Sequence, residues 1–187
     1  MSGSRPRNLL RGIARIATGR ADGLEEFGTG MDAVAASLLP LAVLPAVGTL
    51  ISLLNGAGWL AIRDLFVVAC ALLAPLVASH ALARVWGREA LWPRFAAAFN
   101  WCQWAIPIVA LLVLFAAALL VLAGLPTETA GVLVVFGLLG YALWLHWFLA
   151  RAALRLAGLS AAAMVAIMNL ATLFCVAGPR LLTLALA

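Results

Sequence analysis

The stretch VAASLLPLAVLPAVGTLISLL, which runs from Val34 to Leu54, decides the fold class of this chain. It contains no charged residue, and a helix of about 20 residues at about 1.5 Å per residue crosses the ~30 Å hydrocarbon core of a bilayer. Similar apolar runs follow at about 65–83, 101–123, 130–150 and 161–182. We therefore predict an all-α protein, a polytopic integral membrane helix bundle whose five transmembrane helices occupy residues 31–187.

Composition excludes an ordinary soluble domain. Hydrophobic residues make up 66% of the 187 residues and charged residues 10%, whereas soluble domains contain about 45–50% and about 25%. A soluble chain of this size cannot bury so much apolar surface. Transmembrane β-barrels are excluded as well, because their strands alternate apolar and polar residues. The basic residues flank the apolar runs, so they indicate membrane topology and not a nucleic-acid partner.

Arginine distribution predicts the orientation of the five spans. All 12 basic residues are arginine, and only Arg63 and Arg180 fall on one side of the predicted topology. Because positive residues concentrate in cytoplasmic segments, the side with the other arginines is predicted to be cytoplasmic, with the N-terminus. The use of arginine throughout favours a bacterial inner membrane. Those ten residues are Arg5, Arg7, Arg11, Arg15, Arg20, Arg84, Arg88, Arg94, Arg151 and Arg155.

Residues 1–30 are predicted to form a cytoplasmic basic tail that contains an amphipathic helix. Between Arg5 and Arg20, one sector of the helical wheel is apolar, and Arg7, Arg11 and Arg15 lie opposite it. A helix of this kind binds an anionic membrane surface. The alternative is a disordered tail that only sets topology. A second short interfacial helix is expected at residues 91–99. The apolar sector consists of Leu9, Leu10, Ile13, Ile16 and Ala17.

Four polar residues are predicted to share one depth near the cytoplasmic ends of the spans. They are His80, Asn100, Gln103 and His146. Polar groups inside a bilayer pair with one another or face a wet cavity, so we first expect hydrogen bonds between helices. The alternative is that His80 and His146 bind the two faces of a b-type haem. No metal-ligand spacing and no nucleophile motif is found, so we expect no metal, no cofactor and no enzymatic activity.

The layout resembles that of Yip-domain membrane proteins, in which an amphipathic segment precedes five spans. Two stretches are similar. The first is the basic and aromatic run before the third span, and the second is Gly158-Leu159-Ser160 before the last. The resemblance implies a non-enzymatic role, since eukaryotic relatives act in membrane trafficking and associate with small GTPases. The first stretch comprises Trp92, Pro93, Arg94, Phe95, Asn100, Trp101 and Pro107.

These features lead to three functional hypotheses. The first is an accessory or binding component that engages a partner membrane protein, a second copy of the chain or a lipid on the cytoplasmic leaflet. The second is a small-molecule or ion transporter or a channel-forming oligomer, which prolines inside the spans favour because they kink helices. The third is a haem-bearing subunit of a redox complex. The prolines are Pro40, Pro45, Pro75 and Pro107.

Overall fold

The structure, a computed structural model, describes residues 8–185, and side chains up to residue 178. Within that range the chain is helical and contains no strand. The helices are α1 (Leu9–Ala17), α2 (Met31–Leu54), α3 (Trp59–Val85), α4 (Trp92–Cys102), α5 (Ala105–Leu122), α6 (Thr127–Leu154) and α7 (Gly158–Ala185), with short 3-10 turns at Ala21–Glu26 and Glu89–Leu91. Five segments are long and apolar enough to cross a membrane, with α4 and α5 together in the third. The predicted all-α membrane bundle, preceded by a short N-terminal helix, is confirmed.

The third span is broken where a single helix from residue 101 was expected. α4 ends at Cys102 and α5 begins at Ala105. Pro107 explains the break, because it has no N–H to bond the Gln103 carbonyl and its ring clashes with that group in a continuous helix. The Gln103 carbonyl instead accepts a hydrogen bond from the Ile106 N–H at 3.3 Å. Pro107 therefore lies in the first turn of α5, and the break before it agrees with the prediction that prolines inside the spans kink helices.

The short helix expected at residues 91–99 is present as α4, but it is buried among the other helices. Every residue from Phe95 to Asn100 is shielded from solvent, as is Cys102. The helix packs against α2 and α6, with further contacts to α1, α3 and α5. The expectation of a surface position was wrong because it placed the aromatic residues at a bilayer boundary, whereas they fill space between the other helices.

The spans pack closely at one end of the bundle and loosely at the other. The basic end carries Arg84, Arg88, Arg94, Arg151 and Arg155 and includes α4. The opposite half has loops at residues 55–58 and 123–126. α3 packs between α2 and α7, whereas α5 packs chiefly on α6. The group formed by α2, α3 and α7 meets the pair formed by α5 and α6 through α4 and through contacts of α6 with α7.

The N-terminal segment, residues 8–27, packs on the basic end. Its two helical pieces approach each other closely, because a Cβ at Gly23 would lie 2.8 Å from the Gly12 carbonyl oxygen. Two side chains of the segment, Ile16 and Phe27, are fully buried. The Tyr141 hydroxyl of α6 donates a 3.2 Å hydrogen bond to the Ala17 carbonyl. On the apolar side of α1, Ile13, Ile16 and Ala17 therefore pack on protein, whereas Leu9 and Leu10 are exposed.

Candidate functional site

A cavity of about 280 Å³ lies where α4 meets the long helices. Its lining combines polar side chains at the α4 level with apolar and small side chains farther along α2, α3 and α7. Leu41 is ten positions into α2 and Thr172 is fourteen positions into α7, so the cavity extends about 15–20 Å from the starts of those helices. It therefore reaches the middle of the membrane-spanning region. The lining residues are Leu41, Ala71, Leu72, Pro75, Phe99, Asn100, Gln103, His146, Val165, Met168, Asn169 and Thr172.

Gln103 and His146 form a polar pair across this cavity. The Gln103 amide nitrogen lies 3.3 Å from His146 Nε2, so the amide donates to the ring in the tautomer that carries its proton on Nδ1. The His146 ring also packs against the Phe99 ring, with centroids 4.7 Å apart. Gln103 is the residue that follows α4, with helical dihedral angles and a hydrogen bond from its N–H to the Phe99 carbonyl at 3.2 Å, so its side chain continues the α4 surface that faces His146.

Asn100 forms the second polar contact, toward α2. It is 2% exposed, and its Nδ2 donates a 2.9 Å hydrogen bond to the Ser37 hydroxyl. Ser37 in turn donates to the Val34 carbonyl at 2.7 Å. No hydrogen bond to the side-chain oxygen of Asn100, Oδ1, is found among the described residues. That oxygen is therefore an acceptor available to a molecule in the cavity.

Asn169 and Thr172 add two polar groups from α7. Each donates to a backbone carbonyl one turn earlier in its own helix, Asn169 to Val165 at 2.8 Å and Thr172 to Met168 at 3.0 Å. Their acceptor oxygens stay available. The predicted cluster does not include these residues or Ser37. An Asn one turn before a Thr on the same face is a signal, but only the packing of α7 against α3 places that face in the cavity.

His80 does not belong to the cavity. Its Nε2 lies 3.5 Å from a Glu89 carboxylate oxygen, and its ring packs edge-on against Trp92 at 4.7 Å. The two histidines thus contact aromatic rings seven residues apart on α4, Trp92 and Phe99, which is about 10 Å along the helix axis. The structure brings three of the four predicted polar residues together and places the two histidine rings at different levels, not on opposite faces of one plane.

The cavity has a few polar groups and no charged one. No Asp, Glu or Arg lines it, and no cluster of three or more His, Cys, Asp or Glu side chains suited to a metal exists among the described residues. Its chemistry is hydrogen bonding by amides, an imidazole and a hydroxyl, next to an apolar wall. Such a site matches a molecule that has a neutral polar group and an apolar remainder.

The predicted membrane-surface arginines have different surroundings. Arg7 lies outside the described residues, and Arg11 is exposed. Arg15 lies 3.5 Å from Asp22, which also pairs with Arg20 at 3.0 Å. The hydrogen bond from Arg20 lowers the pKa of Asp22 below its ordinary value, and the positive charge of Arg15 adds to that effect. Arg15 therefore ties α1 to the following turn.

A scan against protein-family models finds no match, and neither do searches of curated proteins and of solved structures. The fold class is therefore that of a helical multi-pass membrane protein, defined by the geometry of the chain itself.

Proposed function

We propose that this chain is a non-enzymatic membrane protein that binds an uncharged, lipid-like molecule in the cavity at the base formed by α4. The observation that carries the proposal is the convergence of Asn100, Gln103 and His146 on a cavity whose other walls are mainly apolar. These groups offer donors and acceptors for a neutral head group. The apolar walls of α2 and α3 suit an acyl or prenyl chain.

The position of the cavity favours a ligand that arrives from the bilayer. The cavity extends from the α4 level toward the middle of the spans, where α2, α3 and α7 form one group and α5 packs chiefly on α6. A charged head group would lose its hydration without gaining a countercharge in this lining. A neutral head group bearing hydroxyl or carbonyl oxygens requires only the hydrogen bonds that the site offers.

We also propose an inner-membrane location with a cytoplasmic basic end, which rests on the ten-to-two distribution of arginines. In that orientation the ligand head group lies in the cytoplasmic leaflet. The Yip-domain resemblance agrees with a binding role without chemistry. A partner membrane protein could cover the apolar flanks of α5, and its recovery with the chain would extend the proposal.

The decisive experiment compares two histidines. Protein extracted in mild detergent is incubated with dioleoylglycerol, a neutral lipid with a free hydroxyl, and bound lipid is quantified by native mass spectrometry. His146→Phe should lower occupancy about tenfold, because one to two hydrogen bonds are lost. His80→Phe removes the same side chain outside the cavity and should leave occupancy unchanged. Equal loss in both variants, or no binding to the unmodified chain, would contradict the proposal.

Transport is the second candidate function, and Pro75 favours it. This proline lies inside α3 and lines the cavity, so the hydrogen-bond gap that it creates lies next to the proposed ligand. A flexible point beside a binding site is what alternating access requires. Lipid or solute movement in proteoliposomes that is slowed by Pro75→Ala, with binding retained, would assign transport; unchanged movement would leave a binding role alone.

A further inference from the structure

A second cleft, distinct from the intramembrane cavity, lies at the surface of the basic end. Its volume is about 330 Å³. One wall is the N-terminal segment, with Leu24 and Glu25, and the other walls come from the start of α4 and the end of α6. Two guanidinium groups, those of Arg94 and Arg155, line it together with the single carboxylate of Glu25. The cleft therefore carries a net positive charge.

Arg94 has a buried polar atom without a partner. Its Nε is shielded from solvent and makes no hydrogen bond to any described residue. Arg94 also forms no ion pair of 4.0 Å or less within the described part of the chain, unlike Arg15 and Arg20, which both pair with Asp22. Arg94 therefore lines the cleft with a charge that no carboxylate of the described chain neutralises.

Arg155 lines the cleft in an unusual backbone conformation. Its φ is +54° and its ψ is +44°, which is the left-handed region. Among the described residues, it is the one residue other than glycine that has a positive φ. Helices that end in this conformation usually have glycine there, and such strain in another residue type often marks a functional position. Here the conformation ends α6 and leaves an arginine, not a glycine, beside the cleft.

The surroundings suit a phosphate group. α4 begins at Trp92 without a side-chain cap, so the positive end of its dipole adds to the field of Arg94. Ala152 and Ala153 form a wall of small side chains that lets a bulky group approach. Arginine binds phosphate oxygens with two parallel hydrogen bonds. The cleft also lies at the end of the spans, where phosphate groups of lipids are found.

We propose that Arg94 and Arg155 form a binding site for a phosphate-bearing anion at the basic end. The group is either the phosphodiester of an anionic lipid or a free phosphate, and it supplies the countercharge that Arg94 lacks. This proposal is independent of the neutral ligand in the intramembrane cavity.

The test measures binding in nanodiscs made of phosphatidylcholine with or without phosphatidylglycerol, and in phosphatidylcholine with added inorganic phosphate. Retained lipid is counted by native mass spectrometry, and phosphate binding is followed by titration calorimetry. Preferential retention of phosphatidylglycerol identifies a lipid headgroup, and binding of inorganic phosphate in phosphatidylcholine alone identifies a free anion. Binding of neither would overturn the proposal.

Variants connect the binding to the cleft. Arg94→Gln and Arg155→Gly should each weaken anion binding about tenfold, because each removes a charge-assisted contact. Arg155→Gly also relieves the backbone conformation, so it provides a folded variant if Arg94→Gln fails to fold. Glu25→Gln should strengthen binding. Arg88→Gln lowers the charge of the same end outside the cleft, and an equal loss in that variant would show that surface charge alone accounts for binding.

Discussion

The basic end and the opposite half of this bundle contain the same kinds of residue and treat them differently. Phe95 in α4 is 0% exposed, whereas Phe115 in α5 is 67% exposed. The hydrogen bonds between side chains of different helices also lie at the basic end, as with Ser37 and Asn100. In a bilayer, apolar residues gain little by leaving lipid for protein. Whether a side chain is buried in this chain therefore depends on how closely the helices fit together, and α4 fills the space between the other helices at the basic end.

Truncating one phenylalanine in each half should give the largest difference between them. Phe95→Ala leaves a hole between helices and should lower the free energy of unfolding by about 3 kcal/mol. This is the lower end of the range for such changes, because an apolar side chain gains little when it moves from lipid into protein. Phe115→Ala should cost under about 1 kcal/mol. Unfolding in mixed micelles of increasing dodecyl sulfate content measures both. Similar losses would mean that α5 is covered by protein, as in an oligomer.

A pair of glycines gives the next largest contrast. Gly23→Ala places a Cβ 2.8 Å from the Gly12 carbonyl oxygen, so the N-terminal segment must shift, at a cost of about 1–3 kcal/mol. Gly48→Ala in α2 meets nothing within 4 Å and should be neutral or stabilising by up to about 1 kcal/mol. Trypsin cleavage at Arg15 and Arg20 reports the release of the segment. Unchanged protection in Gly23→Ala would show that the segment is not packed as described.

The contrast between the halves also separates what sequence could predict from what it could not. The five spans follow from run length and charge, since lipid imposes a long apolar helix whatever its neighbours are. The break at Gln103 follows locally from Pro107. Only the packing shows that α4, which precedes the break, is buried among the other helices. The aromatic residues of α4 predict an interface equally well, because Trp and Phe suit both a bilayer boundary and a helical core.

The candidate site was predictable by the same measure. Depth along the chain correctly groups Asn100, Gln103 and His146, because the end of α6 and the start of the third span lie on one side. Depth read from the sequence places His80 with the other three, but its ring contacts Glu89 and Trp92 and lies at a different level from His146. Depth also cannot reveal Thr172, whose position in the cavity depends on how α7 packs on α3.

Two hydroxyl groups, one in each half, allow the polar contacts of the two halves to be compared. Ser37→Ala leaves Asn100 Nδ2 without its acceptor and should cost about 1 kcal/mol, a typical value for hydrogen bonds between membrane helices. Thr49→Val removes a hydroxyl that bonds only to the Pro45 carbonyl of its own helix, at 2.9 Å, and should change stability little. The same micellar unfolding assay applies. A double variant of Ser37 and Asn100 that costs the sum of its single changes would argue against the contact.

The smallest expected effect is one of pH, at the ion pair that ties α1 to the turn after it. Arg20 and Arg15 hold the pKa of Asp22 below its ordinary value, so the carboxylate form stabilises the folded segment. That contribution is present above the ordinary pKa of Asp, about 3.9, and is lost as the pH falls through the lower folded value. Asp22→Asn should therefore lower the Tm at pH 7 and lower it less at pH 3, which is below the ordinary pKa of Asp. Asp64→Asn removes an exposed pair between adjacent residues, Arg63 and Asp64, which connects no separate segments, and its Tm should match that of the unmodified chain at both pH values. A Tm difference for Asp22→Asn that was as large at pH 3 as at pH 7 would assign its effect to packing of the side chain and not to its charge.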